Sequence, residues 1–187
     1  MKGNIVPDPA YAAADLSGKN FADCTFWKGS FAKANLRSAE FSQVIFDGCD
    51  LSLVQLANCA FRDVKFKKCK LIGVDFRKCR VLFSILSFED CLIDTCNFSQ
   101  MNLADVPFKN CLVRDTPFVE ADLKRADFGG SDLAGSQFHQ ADLREANFAK
   151  ARNYSVNPLH AKIKGAKFTL PEAVSLLRGF DIELGNG

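Results

Sequence analysis

Residues 121–150 read ADLKR ADFGG SDLAG SQFHQ ADLRE ANFAK, a regular succession of five-residue units. A leucine or phenylalanine stands at every fifth position, and the residue two places before it is alanine or serine. A period of five matches neither the 3.6-residue turn of an α-helix nor the two-residue alternation of a strand. The pattern predicts a chain that turns a corner every five residues, with the large apolar residue (the centre) and the small residue pointing inward.

The same phase extends over most of the chain. Steps of five from Leu16 meet only leucine or phenylalanine as far as Phe76, and steps from Phe83 meet large apolar residues as far as Phe148. One five-residue unit cannot bury its apolar side alone, so the units must stack as coils. Four units per coil is the best choice, because the centres that then stack from coil to coil in one column are all phenylalanine. This column is Phe26, Phe46, Phe66, Phe88, Phe108, Phe128, Phe148 and Phe168.

Units such as AADLS, KANLR, SDLAG and ANFAK resemble the pentapeptide-repeat family, whose consensus is close to A(D/N)LXX. The resemblance covers about residues 12 to 168. It implies an all-β fold, a right-handed quadrilateral (four-sided) parallel β-helix of about eight coils. The run RKCRVL shifts the phase by two residues near 77–83, which predicts a bulge or a hinge.

Open coil ends expose core and need a cap. The segment TLPEAVSLLRG predicts a short C-terminal capping helix with Pro171 in its first turn and Gly179 at its end. We therefore divide the chain into a β-helix over residues 1–168 and a cap with a tail over residues 169–187. The cap either serves only to close the core or also forms a dimer interface. The residues of that interface would be Val174, Leu177, Phe180, Ile182 and Leu184.

All eight cysteines stand two places before a centre, if Val81 is the centre that follows Cys79. This position predicts small, buried, unreactive side chains. Disulfides are a disfavoured alternative, because parallel stacking holds neighbouring Cβ atoms near the strand spacing of about 4.8 Å. Metal binding by the cysteines is also disfavoured, because the chain has no CxxC motif and only His139 and His160 could add ligands.

The sequence contains no nucleophile elbow, P-loop, HExxH or GxGxxG motif. Many aspartates stand directly before a centre, where a carboxylate can accept hydrogen bonds from backbone amides at a corner. These aspartates are Asp15, Asp122, Asp127, Asp132 and Asp142. We therefore predict a protein that is not an enzyme and that has no catalytic residues, no metal site and no cofactor.

Charge is distributed unevenly along a chain whose net charge is only +2. The segment up to Val81 contains thirteen basic and eight acidic residues, whereas the segment beyond it contains eleven basic and fourteen acidic residues. The densest basic stretch spans about one coil and would encircle the rod, either as a solvated surface or as a docking belt for an acidic partner or nucleic acid. We call it the basic belt: Arg62, Lys65, Lys67, Lys68, Lys70, Arg77, Lys78 and Arg80.

Two expectations concern location. No apolar run reaches the roughly 18 residues that a membrane-spanning helix needs, so we expect no membrane association. The start, MKGNIVPDPAYAAADL, lacks the apolar core of a signal peptide, so we expect a cytoplasmic protein.

A rod that ends in a short helix and an apolar tail looks like the topoisomerase-protecting subgroup, the Qnr and MfpA type. That resemblance implies a homodimer joined at the C-terminal end, DNA gyrase or topoisomerase IV as the partner, mimicry of duplex DNA, and quinolone resistance. The net charge of +2 favours a more general hypothesis, a rigid scaffold or regulatory module that binds a protein partner. Nucleic-acid binding through the basic belt is a third hypothesis.

Overall fold

The computed structural model describes residues 4–80 and 86–180, and in them the corner expected every five residues breaks the backbone into short strands. Twelve strands of two to four residues lie between the corners. They are β1 Asn4–Pro7, β2 Asn20–Ala22, β3 Cys24–Trp27, β4 Glu40–Ser42, β5 Ile45–Asp47, β6 Ala60–Arg62, β7 Val64–Lys67, β8 Lys70–Ile72, β9 Leu86–Glu89, β10 Leu92–Asp94, β11 Phe108–Lys109 and β12 Leu112–Arg114. Two 3₁₀ helices cover Phe76–Lys78 and Glu172–Phe180.

All of the strands pair in parallel, which makes the chain an all-β parallel β-solenoid. One sheet has the order β1-β3-β5-β7-β9-β11, and two smaller sheets have the orders β2-β4-β6 and β8-β10-β12. A fourth line of pairing consists of single bridges, such as Asp15 with Asn35. Paired residues such as Phe26 and Phe46 are separated by four units of the repeat, as the column of phenylalanines predicted, and we call this spacing the four-unit register. The right-handed course and the count of eight coils stay predictions.

The corners depend on a residue two places after each centre that adopts a left-handed backbone conformation. Lys33, Leu53 and Arg125 have φ values of 60°, 58° and 57°. Glycine is the residue that takes this conformation without steric cost, and Gly130 does so. At the other corners the steric cost of the left-handed conformation is offset by a hydrogen bond from the corner amide to the next coil. Lys33 N, for example, donates to the Ser52 carbonyl at 2.8 Å.

The core is a set of stacked rings. The centroids of Phe46 and Phe66 lie 5.2 Å apart and those of Phe66 and Phe88 5.1 Å apart, with planes within 7° of parallel. Rings of the adjacent column meet this stack edge to face, as Phe98 meets Phe108 at 5.7 Å and 83°. Aromatic pairs in these geometries contribute about 0.5–1.5 kcal/mol each beyond the burial of their area. The interior coils are therefore held mainly by contacts between coils.

The phase slip lies between Arg80 and Leu86. Arg80 N donates to the Cys59 carbonyl in the same way as Lys70 N donates to the Cys49 carbonyl, so the four-unit register is kept as far as Arg80. Val64 then pairs with Leu86, two positions beyond the partner that this register would give it. The two extra residues therefore fall within 81–85, and Val81 and Phe83 lie outside the described residues.

The predicted short C-terminal helix is present. It is a 3₁₀ helix over Glu172–Phe180 that begins directly after Pro171. A Cβ on Gly179 would come within 2.7 Å of Asn157 Oδ1 and 3.2 Å of Pro158 Cδ. Gly179 is therefore required for the close approach of the helix to the last coil.

Candidate interaction surface

The aspartates before the centres bond the backbone at corners, as the sequence predicted. Asp15 Oδ1 accepts a hydrogen bond from Ser17 N at 3.0 Å, and Asp127 Oδ1 accepts one from Gly129 N at 3.0 Å. The hydrogen bonds from Ser17 also hold the pKa of the Asp15 carboxyl below its ordinary value. These carboxylates are therefore part of the scaffold. The same contact is made at Asp122, Asp132 and Asp142.

Ion pairs cover much of the remaining charge in the second half of the rod. Arg144 contacts Asp142 at 2.6 Å, and its hydrogen bonds are the main cause of the lowered pKa of the Asp142 carboxyl. Arg125 contacts Asp105 of the preceding coil at 2.6 Å and lowers the pKa of that carboxyl in the same way. Lys124 lies close to Asp142 as well. Several acidic residues of this half therefore have a basic partner.

The basic belt lies on elements of different sheets. Its residues belong to β6, β7, β8 and the 3₁₀ helix Phe76–Lys78, or follow these elements directly. Because four carboxylates offset half of the belt's positive charge, its capacity to attract a polyanion is reduced. Five of its eight side chains contact carboxylates: Lys67 pairs with Glu89, Lys70 with Asp50, Arg77 and Lys78 with Asp75, and Arg80 with Glu40.

The cysteines are free, and six of the eight are buried, which confirms most of that prediction. Cys24 and Cys79 are partly exposed. The buried thiols of one edge donate to carbonyls of the preceding coil, as Cys49 Sγ does to Phe26 O at 3.3 Å. Ser131 continues this edge by donating to a carbonyl in the same way. The thiols therefore serve as small hydrogen-bonding residues of the core.

The C-terminal 3₁₀ helix carries apolar side chains on the surface. Val174, Leu177 and Phe180 are 39%, 37% and 47% exposed. Leu170, which the predicted interface did not include, lies two residues before the helix and is 79% exposed. We call Leu170, Val174, Leu177 and Phe180 the end patch. The other two residues of the predicted interface, Ile182 and Leu184, lie outside the described residues.

Sequence reasoning also missed other exposed apolar positions. Ile5 and Trp27 lie on β1 and β3 at the N-terminal end, where Lys28 Nζ lies 4.4 Å from the Trp27 ring centroid. Leu53 and Leu112 are half exposed on interior coils. The signal was available, because each stands at an outward position of its unit, where polar residues predominate. These residues are separate from the end patch, and single exposed apolar side chains of this kind are common on protein surfaces.

The described ranges 4–80 and 86–180 contain no group of three or more histidine, cysteine, aspartate or glutamate side chains placed to hold a metal ion. Within the same ranges, no helix combines the length and apolar character that crossing a membrane requires.

The sequence profile of the pentapeptide repeat region matches residues 19–82 and residues 61–138. No curated protein matches the chain as a relative. HetL, a pentapeptide repeat protein involved in heterocyst differentiation regulation in the cyanobacterium Nostoc sp. strain PCC 7120, is similar in structure. It has a TM-score of 0.71 at 22% identity, over 87% of this chain and 81% of HetL.

A trypsin-treated variant of QnrB1, a plasmid-mediated fluoroquinolone resistance protein, is also similar in structure. The TM-score is 0.53 at 19% identity, over 97% of this chain and 100% of that protein. At these identities the likeness to both proteins establishes the solenoid fold alone.

Proposed function

This chain belongs to the pentapeptide-repeat family, and from that premise we propose that it is a rod without enzymatic activity that binds a protein partner, as a scaffold or regulatory module. The end patch carries this proposal. On a rod whose corner carboxylates and many of whose charges already have partners, Leu170, Val174, Leu177 and Phe180 offer apolar area that only another protein surface would cover.

The proposed form of the rod is a right-handed four-sided β-helix of about eight coils over residues 1–168. Four lines of parallel pairing in the four-unit register support four sides. The strong preference for right-handed crossover connections supports the handedness. Residues 169–187 are proposed as the cap, and the cytoplasm is proposed as the place of action.

The end patch first predicts a homodimer joined at the C-terminal end. Light scattering at tens of micromolar should give twice the mass of one chain, and Leu177→Lys should give the single-chain mass. Leu53→Lys, which changes an exposed leucine far from the patch, is the matched control and should leave the dimer intact. If the wild-type protein stays monomeric, the homodimer is contradicted, and the end patch is then available to a different partner.

Partner binding itself is tested with a photo-crosslinking amino acid placed at Val174 in cells that express the protein from its own gene. We expect one crosslinked product, identified by mass spectrometry, that disappears in Leu177→Lys and persists in Leu53→Lys. Crosslinks that are equally abundant in both variants would contradict binding at the end patch.

A type II topoisomerase is the more specific candidate partner. The match to QnrB1 over nearly the full length of both chains, together with the end patch, favours it. A gyrase supercoiling assay with and without a quinolone tests this candidate. If the protein at micromolar concentration neither inhibits supercoiling nor protects the enzyme from the drug, the topoisomerase candidate is contradicted.

Nucleic-acid binding through the basic belt is the weaker alternative, because five of its eight side chains already contact carboxylates. A gel shift with plain duplex DNA that weakens steeply with added salt would favour it, since phosphate contacts release counterions.

A further inference from the structure

The chain has two histidines, His139 and His160, and the structure brings them together near the C-terminal end of the rod. Their ring centroids lie 5.2 Å apart, with the ring planes tilted by 50°. Both side chains are exposed. Neither ring takes part in the core stack, so packing does not require imidazole at either position.

A local change of register places the two rings side by side. Gln137 pairs with Ser155, two positions short of the partner that the four-unit register would give it, whereas Asp142 pairs with Lys162 in that register. The later coil therefore carries two more residues between these pairs than the earlier coil does.

These extra residues form a turn around Asn157. Its carbonyl accepts a hydrogen bond from His160 N at 3.1 Å, and its side-chain Oδ1 accepts one from Leu159 N at 2.9 Å. The turn fixes the backbone that presents His160 beside His139.

The separation of the rings fits a shared metal ion. Imidazole nitrogen binds zinc and similar ions at about 2.0–2.1 Å, and two imidazoles on one tetrahedral ion then have centroids about 5 Å apart. The observed 5.2 Å matches this value with the rings in their present positions. The backbone therefore already holds the two rings at the separation that a shared ion requires.

A pocket beside the rings can complete the coordination. It has a volume of about 390 Å³ and is lined by both histidines together with Gln137, Ser155 and Asn157. Amide and hydroxyl oxygens are neutral ligands, and the pocket has room for water, so the remaining coordination positions need no further histidine or cysteine. An ion held by two imidazoles and oxygens would be exchangeable, as at an open site.

We propose that His139 and His160 form a binding site for one divalent transition metal ion of the zinc, nickel or cobalt type. Nitrogen ligands select these ions over Mg²⁺ and Ca²⁺, which prefer oxygen. The site lies on the last coils before the 3₁₀ helix Glu172–Phe180, and it stands independently of the proposed protein partner.

The test is a titration of the native protein with NiCl2 by calorimetry and with CoCl2 by absorption spectroscopy. We expect one ion per chain, with affinity lowered about tenfold or more in His139→Gln and in His160→Gln. The native state is required because an unfolded chain would expose eight thiols that also bind these ions. MgCl2 should give no binding heat.

Cys24→Ser and Cys79→Ser are the matched controls, because these are the partly exposed thiols. Both should bind nickel as the wild type does, and the cobalt spectrum should show no thiolate charge-transfer band. In the unmodified protein, Co²⁺ should shift the ring protons of both histidines in NMR spectra, which tests the site without any substitution. Equal affinity in the histidine variants, a thiolate band, unshifted ring protons or no nickel binding at millimolar concentration would overturn the proposal.

Discussion

The interior coils and the two ends of the rod use the same repeat with different results. In the interior, the centres Phe108 and Phe128 have no exposed surface, whereas towards the ends the centres Phe21 and Phe168 are only partly buried. An interior coil is covered by a neighbour on each side, but a terminal coil is covered on one side only. The interior therefore supplies rigidity, and the ends supply the surface with which the molecule can meet others.

Buried hydroxyls differ from the corner carboxylates. Within the repeat, corner carboxylates such as Asp127 bond the backbone of their own unit. The buried hydroxyls of Ser52, on an interior coil, and of Tyr154, near the C-terminal end, have no hydrogen-bond partner in the part of the chain that the structure describes. Burial also raises the pKa of the Tyr154 hydroxyl. The paired histidines likewise lie near the C-terminal end, where the register changes.

Thiol labelling should show the largest difference between the interior and the N-terminal end. Cys96 is buried, and burial raises its pKa to about 12, so it presents little of the reactive thiolate at pH 8. Cys24 is partly exposed. Because labelling of Cys96 requires unfolding, we expect it to be at least about a thousandfold slower than that of Cys24. Mass spectrometry of timed samples gives both rates, and rapid native labelling of most thiols would refute a closed interior.

Phe108→Ala should produce the next largest effect, a loss of about 3–5 kcal/mol in the free energy of unfolding. It removes a fully buried ring that stacks on Phe88 and Phe128 and leaves a cavity. Phe180→Ala, on the half-exposed end patch, should cost less than about 1 kcal/mol. Urea denaturation of both variants makes the comparison, and similar losses would show that the cap is as tightly packed as the interior.

A corner carboxylate should contribute less than a core ring. Asp142→Ala should cost about 1 kcal/mol, because the Arg144 amide loses its acceptor. Asp142→Asn should keep the corner, since Asn147 makes the same contact with Ala149 N at 3.0 Å. Thermal melts of the two variants at neutral pH compare these outcomes. An asparagine variant as unstable as the alanine variant would assign the effect to the ion pair instead.

The same carboxyl gives a pH dependence of known sign. Because the folded pKa of Asp142 lies below its unfolded value, its contribution is complete above the unfolded pKa of about 3.9 and is lost as the pH falls through the folded pKa. Asp142→Asn should therefore lose less stability than the wild type between neutral and strongly acidic pH. Urea denaturation of both proteins at a series of pH values measures this difference, and parallel losses would contradict it.

The smallest effect expected is a gain. Lys33 is exposed and has a φ of 60°, a conformation that glycine adopts without strain. Lys33→Gly should stabilise the protein by about 0.5–1 kcal/mol, whereas Lys33→Ala should leave the urea midpoint of unfolding unchanged. A loss of stability in the glycine variant would mean that the entropy of the unfolded chain outweighs the strain of the corner.

Much of the scaffold could be predicted from side-chain types alone. The four-unit register followed from an uninterrupted column of phenylalanines, and the corner role of Asp132 followed from its place before Leu133. The position of the phase slip could be predicted only to within about residues 77–83, because Val81 and Phe83 are both apolar and either could serve as a centre. Only the hydrogen bond from Arg80 N to the Cys59 carbonyl shows that the register holds beyond the 3₁₀ helix.

By itself, the sequence determined which side of each unit faces inward, because burying a large apolar residue at every fifth position leaves one way to coil the chain. The tertiary structure decided which surface groups meet. Arg125 pairs with Asp105 across coils, and His139 meets His160 only because the later coil carries a longer turn. Surface contacts depend on local register and on the conformations of exposed side chains, and a period of apolar residues does not specify these.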